Sequence, residues 1–216
     1  MKKKIMLWLG GKLATLIRVA EVERENKALG GFANKPANLR VQSPSRIINA
    51  EFITIGDNVS LGPGCMLNAI RRYPGRFLSD IPEDIEVTNY QPSIEIGDRV
   101  SATGYLTVSA VESVVIEDDV IIASSVFIGD NSHGRSRVDI AFKYQPLEDI
   151  APIRVGRGCW IAEHAVIMPG VTIGEYSIIG ANSVVSTDIP PRSIAVGAPA
   201  KVVKVWSETR SGWVSP

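Results

Sequence analysis

Residues 155–189 read VGRGCW IAEHAV IMPGVT IGEYSI IGANSV VSTDI, and in that spacing an aliphatic residue opens every group of six: Val155, Ile161, Ile167, Ile173, Ile179 and Val185. A second, mostly small residue stands two places before the next beat, at Cys159, Ala165, Val171, Ser177, Ser183 and Ile189. A helix repeats near 3.6 and a flat strand at 2, so a period of six requires a short straight piece followed by a corner. Three such pieces close one coil of a parallel β-helix.

Working outward, the same beat returns upstream at Ile55, Leu61, Leu67, then Ile96, Ala102, Val108, then Ile116, Ile122, Ile128. Only 45% of the chain is hydrophobic, so an unbroken run of aliphatic beats is not a product of composition. Labelled in threes as faces one, two and three, every irregular gap falls between face three and the next face one. Long insertions leave after Leu67 and after Ile128, and a two-residue one after Val108. All loops therefore emerge from one corner, and stacked insertions of that kind build the binding edge of a solenoid. The spacing predicts about five coils stacked about 4.8 Å apart. Gly56, Gly62, Gly97, Gly129, Gly156, Gly174 and Gly180 directly follow a beat, where a tight corner is expected.

Composition agrees with one ordinary domain and appendages: 216 residues and a formal net charge of zero, which gives no reason to expect a nucleic-acid partner. Cys65 and Cys159 both occupy the small inward position and read as buried free thiols, as in a reducing cytosol. The first 22 residues are basic and then apolar, but Gly10, Gly11, Lys12 and Arg18 interrupt the run. That run is too short to cross a bilayer, and no cleavage-like small-residue pattern follows it. It reads as an amphipathic helix with Ile5, Leu9, Leu13, Leu16 and Ala20 on one face, suited to packing on protein or, through Trp8 and the lysines, to lying on a membrane surface. The expected organisation is a helix and lead-in over 1–52, the solenoid over 53–190 and a C-terminal CoA-side segment and tail over 191–216.

The chain has two histidines, His133 and His164. His133 ends the third coil in Ile128-Gly-Asp-Asn-Ser-His133, at the corner where the second long insertion leaves. An imidazole titrating near neutral pH at a solvent-reachable corner is a candidate general base, although an ordinary surface histidine has the same spacing. His164 is expected to point outward without a catalytic part.

Over 94–204 the sequence resembles the hexapeptide-repeat acyltransferases, in particular the branch of maltose, galactoside and xenobiotic acetyltransferases and bacterial polysaccharide O-acetyltransferases. The resemblance rests on Asp130-Asn-Ser-His133, on Val155-Gly-Arg-Gly-Cys-Trp-Ile-Ala162, and on Ile179-Gly-Ala-Asn-Ser-Val-Val with Asp188-Ile-Pro-Pro and Gly197-Ala-Pro-Ala-Lys201. It implies an all-β, left-handed parallel β-helix, a hand that periodicity cannot show. It also implies a cytoplasmic homotrimer with sites between subunits, acetyl-CoA as co-substrate, no metal, and a sugar or polysaccharide acceptor.

His133 matches the family's base. Asp130 and Asn131 resemble positions that orient the acceptor or the histidine, though short polar residues also suit corners. Trp160 matches a cleft residue with a substrate or an interface role. Ala162, Glu163 and Ala181 match positions along the pantetheine arm, and Ser186 one near the nucleotide. Lys201 and Lys204 match basic positions near the CoA phosphates. A backbone N–H near Ala162 or Glu163 is the expected oxyanion donor. The loop from Gly134 to Pro152, with Arg135, Arg137, Lys143 and Tyr144, is expected to reach over the acceptor.

Alternatives on the same fold are an amino-sugar N-acetyltransferase, a xenobiotic acetyltransferase and a binding protein without turnover. A γ-type carbonic anhydrase needs three imidazoles on zinc, and two histidines do not supply them. The segment 69–92 breaks the hexads and matches nothing assignable.

Overall fold

A computed structural model describes residues 31–74 and 85–216; the amphipathic segment expected over 1–22 lies outside the described residues. The chain forms a left-handed parallel β-helix of triangular section. Face one stacks Ile53–Ile55, Ser93–Ile96, Ser113–Ile116, Ile153–Val155 and Thr172–Ile173. Face two runs from Arg40–Val41 through Ser60–Leu61, Ser101–Ala102, Ile121–Ile122, Trp160–Ile161 and Ile178–Ile179 to Ser193–Gly197. Face three stacks Arg46–Ile48, Met66–Ala69, Thr107–Ala110, Phe127–Gly129, Val166–Ile167 and Val184–Val185.

The beats named from sequence all point inward: Ala102 is the most exposed at 5%, and most are fully buried. Their rows fill one continuous core, each large aliphatic contributing about 1.5–3 kcal/mol when removed from water. Five full coils match the expected number, but strand pairing carries the solenoid past both expected bounds. Arg40–Val41 pairs with Ser60–Leu61, and Arg46–Ile48 pairs with Met66–Asn68, so a partial coil precedes residue 53. At the other end Ser193–Gly197 joins face two beside Ile178–Ile179. There the chain reverses: Ala200–Ser207 and Gly212–Val214 add antiparallel strands at the edge. Those missed strands lack the regular hexads that signal the rest.

One hydrogen bond recurs from coil to coil. The N–H after each beat donates to the carbonyl of the corresponding beat one coil on, as in Gly56 to Ile96 at 2.7 Å, Ala123 to Ile161 at 2.8 Å and Met168 to Val185 at 2.9 Å. Except at Gly129, where a Cβ would meet the Phe127 ring of its own strand, the glycines after the beats answer to this stacking rather than to corner geometry. Left-handed backbone occurs two residues later, at Asn58, Arg99, Asp119, Ser125, His164, Tyr176 and Asn182, all with φ between 54° and 62°. Gly62 is small because the next coil lies against it: a Cβ there would come 1.8 Å from the Thr103 carbonyl oxygen. The expectation of a corner directly after the beat was therefore misplaced, and close approach is the physical reason for the glycine.

Both cysteines are buried and free. Burial is the main force pushing the Cys159 thiol up to about 11, and its S–H donates to the Gly174 carbonyl at 3.1 Å. Burial likewise pushes Cys65 up. Because thiolate is the reactive form, iodoacetamide at pH 8 should label neither cysteine in the folded protein and both after denaturation, read by intact mass. Gly62→Ala should cost about 3 kcal/mol or more in denaturant unfolding, since the obstructing atom is backbone.

Candidate active site

Both long insertions leave the corner between faces three and one, and each begins as a small antiparallel ladder. In the first, Arg72–Tyr73 pairs with Thr88–Asn89. In the second, Ser132–His133 pairs with Leu147–Glu148, placing His133 opposite Leu147. His133 thus stands on the first strand of a projecting hairpin, just outside the solenoid, and its ring is exposed.

The hairpin is tied down at its root. The Asp130 carboxylate is fully buried. It accepts the backbone N–H groups of Val111 at 2.9 Å, Glu112 at 2.8 Å and Ser113 at 2.9 Å, and the Asn131 side-chain amide at 2.8 Å. Of the roles expected for Asp130, at the acceptor, at the histidine or in the corner itself, its contacts fit the last. Its carboxylate is spent on the turn of the preceding coil and has no face toward a ligand. Three converging N–H groups form a small cradle for negative charge. Asn131 is half-buried beside the histidine, oriented by that same carboxylate.

The body of the hairpin is organised by Gln145, which is buried. Its side-chain oxygen accepts the Arg137 N–H at 3.0 Å, and its amide donates to the carbonyls of Arg137 at 2.7 Å and Ile140 at 2.9 Å. Arg135 grips Asp149 with bonds of 2.5 and 3.1 Å, and Ser132 donates to the same carboxylate at 2.7 Å. The Arg135 guanidinium, then the Ser132 hydroxyl, hold Asp149 below its ordinary value. Arg137 pairs with Asp139, and the Lys143 ammonium lies 4.6 Å from the centre of the Tyr144 ring. The two arginines, expected to reach toward an acceptor, are engaged within the loop.

Sequence reading left two tyrosines of the first insertion unassigned, and both touch the second. The Tyr73 hydroxyl lies 3.0 Å from His133 Nδ1 and donates to the Lys143 carbonyl at 2.8 Å. The two rings are tilted at 57° with centres 5.5 Å apart. The Tyr90 hydroxyl accepts the Leu147 N–H at 3.1 Å. Burial first, then nearby Tyr90, pushes the Tyr73 hydroxyl above its ordinary value, so it remains an O–H. The only sequence signal for these contacts was that both insertions leave the same corner.

The other expected site residues are divided over the solenoid. Trp160 is 48% exposed on the outer side of face two, in register with Ile121 and Ile178. The same cross-strand row continues through Ile194 to Lys204, and Lys201 is exposed on the same terminal strand. Glu163 and Ala181 are exposed at the corner between faces two and three, where the Glu163 carbonyl accepts the Asn182 N–H. Ala162 is buried and its N–H is bound to the Ile179 carbonyl at 2.9 Å, so it cannot serve an oxyanion. Of the expected pair, only the Glu163 N–H stays outside the coil ladder. Ser186 is exposed at the His133 corner, in a later coil.

Face two lies across the triangular section from the corner that carries His133, so one chain does not bring His133 and Trp160 together. His164 stands at the corner of Glu163, well apart from His133 in the section. Among the described residues no group of three His, Cys, Asp or Glu side chains is placed to hold a metal ion.

The chain resembles known proteins in four respects. Residues 152–187 match the model of the bacterial transferase hexapeptide (six repeats). The chain is 31% identical over 180 residues to the putative lipopolysaccharide biosynthesis O-acetyl transferase WbbJ of Escherichia coli K12, covering 80% of this chain and 82% of that one. It is 32% identical over 164 residues to the galactoside O-acetyltransferase of the same organism, covering 76% and 69%. Among solved structures, the N-acyltransferase AntD of Bacillus cereus shares the fold, with a TM-score of 0.66 and 21% identity over 87% of this chain and 90% of that one.

The Asp130 cradle yields a stability prediction. Asp130→Ala leaves three backbone N–H groups without their partner and should lower unfolding free energy by about 2–4 kcal/mol. Urea titration followed by circular dichroism checks it, with Asn131→Ala expected to cost less than half as much.

Proposed function

The chain belongs to the hexapeptide-repeat acyltransferases, and from that premise we propose that it transfers the acetyl group of acetyl-CoA to a hydroxyl of a sugar, in a bacterial surface polysaccharide or its lipid-linked precursor. The observation that carries this reading is the exposed His133 ring, held at the corner where both insertions meet. The similarity to two O-acetyltransferases over most of their length supports the acceptor class.

In the proposed reaction Nε2 of His133 takes the proton from the acceptor hydroxyl as that oxygen attacks the thioester carbonyl. A C–O bond forms, and the carbonyl becomes a tetrahedral oxyanion, for which the Glu163 N–H is the proposed donor. Collapse breaks the C–S bond, and the His133 imidazolium returns its proton to the departing CoA sulfur. Transfer is direct, with no acyl-enzyme. General-base assistance of this kind contributes about 10²- to 10⁴-fold.

The separation of His133 from Trp160 within one chain supports a site shared between copies, in a homotrimer. A second copy laying face two against the insertion corner would bring Trp160, Glu163 and Ala181 toward His133. The exposed apolar side chains Ile121 and Trp160 on face two and Phe127 on face three suit such packing. Asn131, at the root of the hairpin, faces the acceptor side. Ala181 and Ser186 flank the CoA path, and the ammonium groups of Lys201 and Lys204 pair with CoA phosphates. The reaction belongs in the cytoplasm, where acetyl-CoA is available. A docking role for residues 1–22 at the inner membrane face would suit a lipid-linked acceptor.

His133→Ala should reduce acetyl transfer from acetyl-CoA by at least about 100-fold while leaving CoA binding by calorimetry intact. Steady-state rates against a panel of sugars and amino sugars provide the measurement. Wild-type turnover in the variant would remove the base, and turnover confined to amine acceptors would move the reaction to N-acetylation.

A further inference from the structure

We propose that Tyr73, carried by the first insertion, is the positioning residue that fixes the ring and tautomer of His133. The chemistry follows from counting hydrogens. A phenol has one O–H, and that of Tyr73 is committed to the Lys143 carbonyl at 2.8 Å, an atom that can only accept. At the 3.0 Å contact with His133 Nδ1, the Tyr73 oxygen must therefore be the acceptor and Nδ1 must carry the hydrogen. In the neutral ring this leaves the lone pair on Nε2, the nitrogen away from Tyr73. An unconstrained histidine side chain favours the opposite tautomer, so the contact selects the form that can accept a proton at Nε2.

The same chain of bonds serves the charged ring. When Nε2 gains a proton, the Nδ1–H becomes a stronger donor. The Tyr73 oxygen that receives it is polarised in turn by its own bond to Lys143. A phenol does this as a neutral partner, where a carboxylate would add a full negative charge beside the base. Tyr73 reaches the ring because two separate insertions dock. Its strand lies in the first, Lys143 and His133 in the second, and Tyr90 fastens the pair through Leu147.

The inference rests on His133 being the base, and its test is separable from the test of that reading. With only two histidines in the chain, long-range ¹⁵N–¹H correlation spectra assigned with His164→Gln read the His133 tautomer directly. The wild-type protein should show hydrogen on Nδ1 at neutral ring charge; hydrogen on Nε2 would overturn the proposal whatever the variants do. Tyr73→Phe should shift the ring toward the Nε2–H form and lower kcat by about 10- to 100-fold, with the KM for acetyl-CoA within about twofold. Tyr90→Phe reports on loop anchoring alone. If both variants lose the same activity and neither changes the tautomer, Tyr73 is only a loop anchor and the proposal fails. If Tyr73→Phe does not fold, the wild-type spectrum decides. Full activity in His133→Ala would instead sink the base while leaving the tautomer measurement standing.

Discussion

The bond from the N–H after each beat to the matching carbonyl of the next coil governs what the rest of the molecule can do. It forces neighbouring coils into register, so the same inward position must be apolar in every lap. It also brings backbone close enough to backbone that several of the donating positions are glycine. A coil alone has too little core to offset its ordering entropy, and stability comes from sharing the aliphatic rows with both neighbours. Extra chain is tolerated only where the ladder is not interrupted. In this protein that place is the corner between faces three and one, and it is where the chemistry has collected.

Two insertions separated by two full coils in sequence meet at that corner and hold one imidazole between them. The division of labour is clear from burial. Asp130 is interred and anchors the hairpin root on the turn of the preceding coil. Gln145 organises the hairpin body, and the paired arginines rigidify its surface. His133 alone in the Asp130–His133 run presents a titratable ring to solvent. Its orientation is then set by a tyrosine from the other insertion. The solenoid supplies a rigid frame while the loops supply the specific contacts.

The solenoid was legible in sequence because its determinants are periodic: the identity of Ile55 or Val185 can be read from its neighbours six places away. Cys65 and Cys159 were placed correctly by the same rule. Where periodicity lapses, sequence reading fell short. The partial coil at Arg40–Val41 and Arg46–Ile48 and the terminal strands gave no regular beat. Corner geometry was assigned to the glycines, whereas Asn58 or His164 carries it, because close approach and positive φ leave the same compositional mark. Asp130 stood correctly next to the histidine, but its burial depends on a turn 17–19 residues earlier in the chain. The pairing of Tyr73 with His133 spans 60 residues and has no local signature.

The reversal at the end of face two has a consequence for how the molecule avoids its own kind. A stack of parallel laps ends in a row of unpaired amides and carbonyls, a natural template for another chain. Here Ala200–Ser207 folds back over that row, and the three-residue strand Gly212–Val214 follows it in the opposite sense. Two reversals return Gly212–Val214 to the direction of the laps, so the shortness of this three-residue edge, and not its polarity, is what leaves an incoming lap little to pair with on this side of face two.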